Sequence, residues 1–145
     1  MNERIARRVE EIALDLASTL SVVETRGEVE IAEKIYGIFA GMGYYKANPQ
    51  NLYYVDAKDD PLGRKSVIAI LEGGKAKSDK TILMIGHLDS VGVSDYGNLK
   101  EYANQPLKLT KKFKEIELPP AVKTDLESGE YLFGRGLFDM KAGDA

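Results

Sequence analysis

TILMIGHLDSVG, residues 81 to 92, is the stretch from which the rest of the chain can be read. Its first six residues form a near-continuous apolar run, the pattern of a strand buried on both faces. The run predicts a central strand over 81–86 and sets His87 at its end. If strand geometry continues, His87 and Asp89 point to the same side. Asp89 then accepts the proton of one imidazole nitrogen and leaves the other for a metal. Taken alone, a bare His-x-Asp is better explained as a lone histidine beside a turn aspartate.

His87 is the single histidine of the 145 residues, and there is no cysteine. A disulfide framework and a thiolate metal site are excluded, so any zinc has to be held by His, Asp or Glu. With 43% hydrophobic and 30% charged residues, the composition is that of one ordinary globular domain. A net charge of −3 and a pI of about 5.3 argue against a nucleic-acid partner, which calls for a basic stripe. The basic run KLTKKFKEIE, 108 to 117, alternates with acids and apolar residues and reads as a solvated helix or loop face. No stretch approaches the roughly 18 consecutive apolar residues of a membrane span. The opening MNERIARRVEEIALDL mixes acids with bases, unlike a leader peptide. The expectation is a soluble, cytoplasmic protein with neither membrane nor nucleic-acid partners.

Upstream of the decisive run, Ile5, Val9, Ile12, Leu16 and Leu20 are spaced for one core-facing helical stripe over 3–20, with Asn2 as its cap. SVVETRGE, 21 to 28, is a polar connector. Ile31, Ile35, Ile38, Phe39 and Met42 then predict a second helix over 28–42 that stops at Gly43. The period changes at NLYYVDAK (51–58) and KSVIAILEG (65–73), which flank the turn signal DDPLGR and predict a β-hairpin. EGGKAKSDK, 72 to 80, is a second turn and lacks the spacing of a phosphate-binding loop. Residues 90–128 read as a loop-rich excursion with a short helix. SGEYLFGRG (128–136) returns to a strand, and DMKAGDA starts a helix. Two helices, then strands, then a strand-to-helix passage indicate an α/β sandwich.

GRGLFDMKAG, 134 to 143, supplies a second chemical element, an aspartate after a strand and two glycines. A carboxylate has two oxygens and can bridge two cations about 3.5 to 4 Å apart. By itself Asp139 is better read as a helix cap. Together, TILMIGHLDSVG and LFGRGLFDMKAG resemble the zinc peptidases and deacylases of the aminoacylase, acetylornithine deacetylase and carboxypeptidase G type. Their first metal-binding segments run apolar strand, His-x-Asp-x-Val, then Gly-Arg-Gly-x-x-Asp-Met-Lys-x-Gly. DDPLGR, HLDSVGVSDYGNLKEYA and ELPPAVKTDLESGEYLFGRG further resemble the RocB-type, arginine-utilisation branch of that family, from about residue 20 onward.

The resemblance implies a three-layer zinc-exopeptidase-like α/β sandwich with a mixed sheet. It implies two zincs per site in the parent, with His87 a ligand of one, Asp89 its orienter, and Asp139 the bridging carboxylate. The Asp139–Met140 peptide is implied to be cis, and Ala142 stands where the family most often has glycine. The parent activity so implied is hydrolysis of an amide bond in a peptide or N-acyl amino acid. Only six residues follow Asp139, so the Glu-Glu pair carrying the general base, another carboxylate and a late histidine cannot be assigned. The expectation is therefore that residues 1–145 are the N-terminal part of the catalytic domain, without its C-terminal half or the lid and dimerisation domain. Such a piece would be inactive, with weak zinc binding or none. A different expectation is a non-catalytic binding protein that associates with itself, because strands deprived of their neighbours favour pairing with another chain. An independent module binding one zinc on His87 is a third.

Overall fold

The first helix starts where Asn2 accepts a hydrogen bond from the Arg4 N–H at 3.0 Å, an N-cap that satisfies one of the free amides of the first turn. The computed structural model describes residues 2–74 and 80–128. In these the chain is mixed α/β: α1 (Glu3–Ala17), α2 (Gly27–Ala40) and α3 (Gly43–Ala47) precede a hairpin of β1 (Leu52–Asp56) and β2 (Lys65–Ala69). A 3-10 segment over Ser94–Tyr102, α4 (Pro106–Phe113) and α5 (Pro120–Ser128) follow.

The two long helices form where the apolar spacing put them, but the stripe of α1 is only partly covered. Ile12 and Leu16 are half-buried, while Ile5, Val9 and Leu20 are exposed. What holds α1 is chiefly its last turn. Lys34 of α2 donates to the Asp15 carbonyl at 2.8 Å, the Asp15 carboxylate at 3.1 Å and the Ser18 hydroxyl at 2.9 Å, placing a cation at the negative end of the helix. Gly43 does not end α2. The helix closes at Gly41, and Gly43 opens α3.

β1 and β2 pair antiparallel, with Leu52 opposite Ala69, Tyr54 opposite Val67 and Asp56 opposite Lys65. Alternation sends Leu52 and Tyr54 to one face, which packs on α2. Leu52 is buried, Tyr54 stacks on Tyr36 at 4.5 Å, and Lys65 lies 4.4 Å over the Tyr54 ring while bonding Glu33 at 3.0 Å. Tyr53 and Val55 on the other face are exposed. The connecting turn is Asp60-Pro61-Leu62-Gly63, closed by the Gly63 N–H on the Asp60 carbonyl at 3.1 Å. Its aspartate, proline and glycine occupy the positions a type I turn favours. Gly63 takes the left-handed φ of 68°.

The largest departure from the sequence reading lies at 81–86. These residues form no strand, and Ile82, Leu83, Met84 and Ile85 are between 79% and 90% exposed. A doubly buried strand needs hydrogen-bonding neighbours at its edges and packed layers on its faces. Among the described residues the only sheet is the two-stranded hairpin, which does not reach this run. A three-layer sandwich is therefore not assembled by the described residues. The expected strand over 128–136 and the helix from Asp139 lie outside them, as do Asp139 itself, the Asp139–Met140 peptide and most of the turn at 72–80.

Residues 90–128 are more ordered than the expected loop with one short helix. The 3-10 segment, kinked at Gly97, and both later helices close a second apolar cluster of Tyr96, Ala103, Leu109, Phe113 and Leu126. The lysine run falls on α4 with Leu109 and Phe113 turned inward and Lys108 and Lys111 outward, so its solvated side is as expected. Asn104 ties this part to the end of α1 by donating to the Ser18 carbonyl at 3.0 Å. No helix among the described residues is long and apolar enough to cross a membrane.

Two stability outcomes follow from this packing. A Cβ at Gly27 would collide with the Leu20 carbonyl and come within 2.9 Å of the Ser21 Cα. Gly27→Ala is expected to cost about 2 kcal/mol or more in denaturant unfolding, because the atoms it meets are backbone. Hydrogen bonds from the Arg64 side chain and backbone hold the Asp60 carboxyl below its ordinary range. Its contribution to stability is complete above the ordinary carboxylate value of about 3.9 and lost as pH falls through the lowered native value. Asp60→Asn should flatten the acid limb of a thermal-stability profile and leave the alkaline limb in place.

Candidate functional site

His87 is exposed and Asp89 half-buried, on a run without helix or strand that is tied at Ser90 to the connector between α1 and α2. Ser90 forms an isolated parallel bridge with Val22. The Val23 N–H donates to the Ser90 carbonyl at 3.0 Å, and the Ser90 N–H donates to the Ser21 carbonyl at 2.8 Å. These bonds fasten the residues just after His87 to the connector between α1 and α2. No sheet among the described residues underlies the histidine, and this bridge helps to set its placement.

The imidazole Nδ1 lies 3.2 Å from the Asp89 carboxylate and 3.0 Å from the Asp89 carbonyl. Both oxygens accept, so together they favour the tautomer with its proton on Nδ1. Nε2, with its lone pair, is then the nitrogen that a ligand can reach. The histidine side chain is 85% exposed, so nothing in the described residues restricts access. The structure thus brings together the pair that the sequence singled out. Asp139, the other expected ligand, lies outside the described residues, and its distance from His87 is not defined by them.

Zinc in a catalytic site takes roughly three protein ligands and a water. Among the described residues, no group of three His, Asp or Glu side chains is close enough to hold a metal ion. What they do supply is one donor of the right chemistry, an imidazole with an acidic neighbour on its other nitrogen. The described part fits one corner of a metal site.

Sequence reasoning did not find the groups that stabilise the connector. Glu28 accepts from the Glu24 N–H at 2.7 Å and from the Arg64 guanidinium at 3.4 Å. Arg64 in turn donates twice to one Asp60 oxygen, at 2.6 and 3.0 Å, and its backbone N–H bonds the other at 2.6 Å. These contacts raise the Arg64 pKa further above its already high ordinary value, the Asp60 hydrogen bond contributing most. The turn signal DDPLGR contained both Asp60 and Arg64, but a pairing with Glu28, 36 residues away, has no local signature.

No family model and no solved structure matches the chain. Among curated proteins it is similar to Protein RocB of Bacillus subtilis (strain 168), 36% identical over 140 residues, which are 97% of this chain and 25% of RocB. It is also similar to the uncharacterized protein YqjN of the same organism, 38% identical over 125 residues, 85% of this chain and 22% of YqjN. The chain therefore spans about a quarter of the length of the curated relatives it matches. The similarity to RocB takes in nearly all of this chain, His87, Asp89 and their anchoring connector included.

Proposed function

We propose that the chain carries the first metal-binding segment of a RocB-like, zinc-dependent amide hydrolase. The substrate class of the parent is a peptide or N-acyl amino acid, in a cytoplasmic setting of arginine utilisation. The observation that carries this reading is the contact of His87 Nδ1 with Asp89, which leaves Nε2 to ligate. By resemblance, Asp139, in Gly-Arg-Gly-x-x-Asp-Met-Lys, would be the second residue to hold zinc in the parent. Bound zinc would supply a water of lowered pKa and polarise the substrate carbonyl. The part of this chain's own residues is narrower: Asp89 sets the histidine tautomer, and the Ser90 bridge sets its direction. The full fold on this reading is the three-layer exopeptidase-like sandwich, in which 81–86 would be an inner strand.

No residue of these 145 is assigned as general base. Loss of proton transfer alone removes on the order of 10² to 10⁴ in rate, so the chain as given is expected to be inactive. Incubation with zinc and a panel of N-acyl amino acids should give no turnover above background, and robust hydrolysis would refute the inactivity. Zinc titration followed through the single imidazole resonance tests the ligand itself. Zinc is expected to shift the His87 signal, and Asp89→Ala to weaken that binding by roughly tenfold or more. Uptake that is the same in His87→Ala would remove the assignment.

A second reading, self-association without catalysis, is favoured by the exposed Ile82–Ile85 run and the open edges of the β1–β2 hairpin. Sedimentation should then show a dimer or larger species that Leu83→Asp returns to monomer. A monomer of the unaltered chain at high concentration would count against this reading.

A further inference from the structure

We infer that Glu28 is the positioning residue for the His87–Asp89 segment, acting through the connector of residues 21–26. This rests on the proposal that His87 and Asp89 are the working pair of the chain. The His87 ring is exposed, and no sheet among the described residues supports the segment around it. Ser21 and Val23, on either side of Val22, hold the segment through two backbone hydrogen bonds to Ser90. Whatever holds these three residues in place sets the direction of the histidine.

The connector is not a relaxed coil. Glu24 has a φ of 61°, in the left-handed region that a residue with a Cβ seldom occupies. Thr25 turns back on Val22, with its N–H at 3.2 Å and its hydroxyl at 2.6 Å from the Val22 carbonyl. Ser21 is fully buried and lies against Gly27, where no side chain can be accommodated. The unfavourable conformation at Glu24 persists because its N–H is held at 2.7 Å by the Glu28 carboxylate. That carboxylate is largely shielded, at 13% exposure, and is itself aimed by Arg64, which Asp60 locks across the hairpin turn. A line of contacts therefore runs from the hairpin turn through Arg64, Glu28 and Glu24 to Val23 and Ser90. It ends at the bridge itself, on Ser90, the residue that follows Asp89.

Glu28 is one acceptor oxygen serving two donors on different elements. Its function in this account is acceptance at Oε2, not negative charge as such. Glu28→Gln keeps an acceptor oxygen at that place, whereas Glu28→Ala removes it. This difference separates positioning from a general requirement for an acidic surface.

The experiment is amide hydrogen exchange on the full chain without metal, read at Val23 and Ser90, with Leu109 in the second apolar cluster as the internal reference. Glu28→Ala is expected to lower protection at Val23 and Ser90 by about tenfold, the loss of one shielded charge-assisted bond. Leu109 should be unaffected, and the His87 Cε1–H resonance should move at fixed pH. Glu28→Gln should restore both readouts to near the original values. Arg64→Met, which leaves α2 intact, should give a smaller loss at the same two amides and serves if Glu28→Ala does not fold. Unchanged protection at Val23 and Ser90, equal loss at Leu109, or failure of Glu28→Gln to rescue would each overturn the inference. Zinc titration tests the metal assignment and is independent of these outcomes, so either can fail while the other stands.

Discussion

One carboxylate oxygen, Oε2 of Glu28, accepts from the backbone of the α1–α2 connector and from a guanidinium fixed to the hairpin turn. The Glu24 N–H belongs to a residue in a costly backbone region, and Arg64 is a permanent cation whose other hydrogen bonds are all spent on Asp60. The three parts that meet here, helix, connector and turn, come from positions 24 to 64. The ion pairs of Arg8 with Glu11 and of Lys112 with Glu115 join residues three apart in sequence and have no such reach.

The fold and the site were legible in the sequence to different degrees, and the difference has a physical origin. α1, α2 and the β1–β2 hairpin are each specified within a few residues of themselves, by helical spacing, an N-cap and an Asp-Pro-x-Gly turn, so their positions were foreseen closely. The strand expected at 81–86 depends on partners distant in sequence. Its apolar content states how the run should be covered, and covering groups are absent among the described residues. α4 was obscured by an opposite effect. Its buried Leu109 and Phe113 stand among three lysines, and such a sparse stripe becomes meaningful once Tyr96 and Leu126 are placed against it.

For the site, His87 and Asp89 were identifiable because the chain has no other imidazole to compete for the role. Their mutual contact follows from a separation of two residues. Glu28 and Arg64 were not identifiable, since a charge pair across 36 residues leaves no periodicity and both residue types are common on any surface. The likeness to RocB extends over these residues as well as over His87, so the supporting contacts and the candidate ligand belong to the same matched region.

The grip of Lys34 on the last turn of α1 has a bearing on how the parts of the molecule come apart. α2 and the hairpin are joined by the Arg64–Glu28 and Lys65–Glu33 ion pairs, but they also meet through Leu52 and the Tyr36–Tyr54 stack, apolar contacts that dissolved ions scarcely weaken. α1 has no buried residue and is fastened by an ammonium at a partly exposed helix end. Interactions of that kind fade as the Debye length shortens, to about 3 Å at 1 M ionic strength. Salt and chemical denaturant therefore act on different joints: concentrated salt loosens the N-terminal helix first, while the hairpin stays seated until its apolar face is solvated.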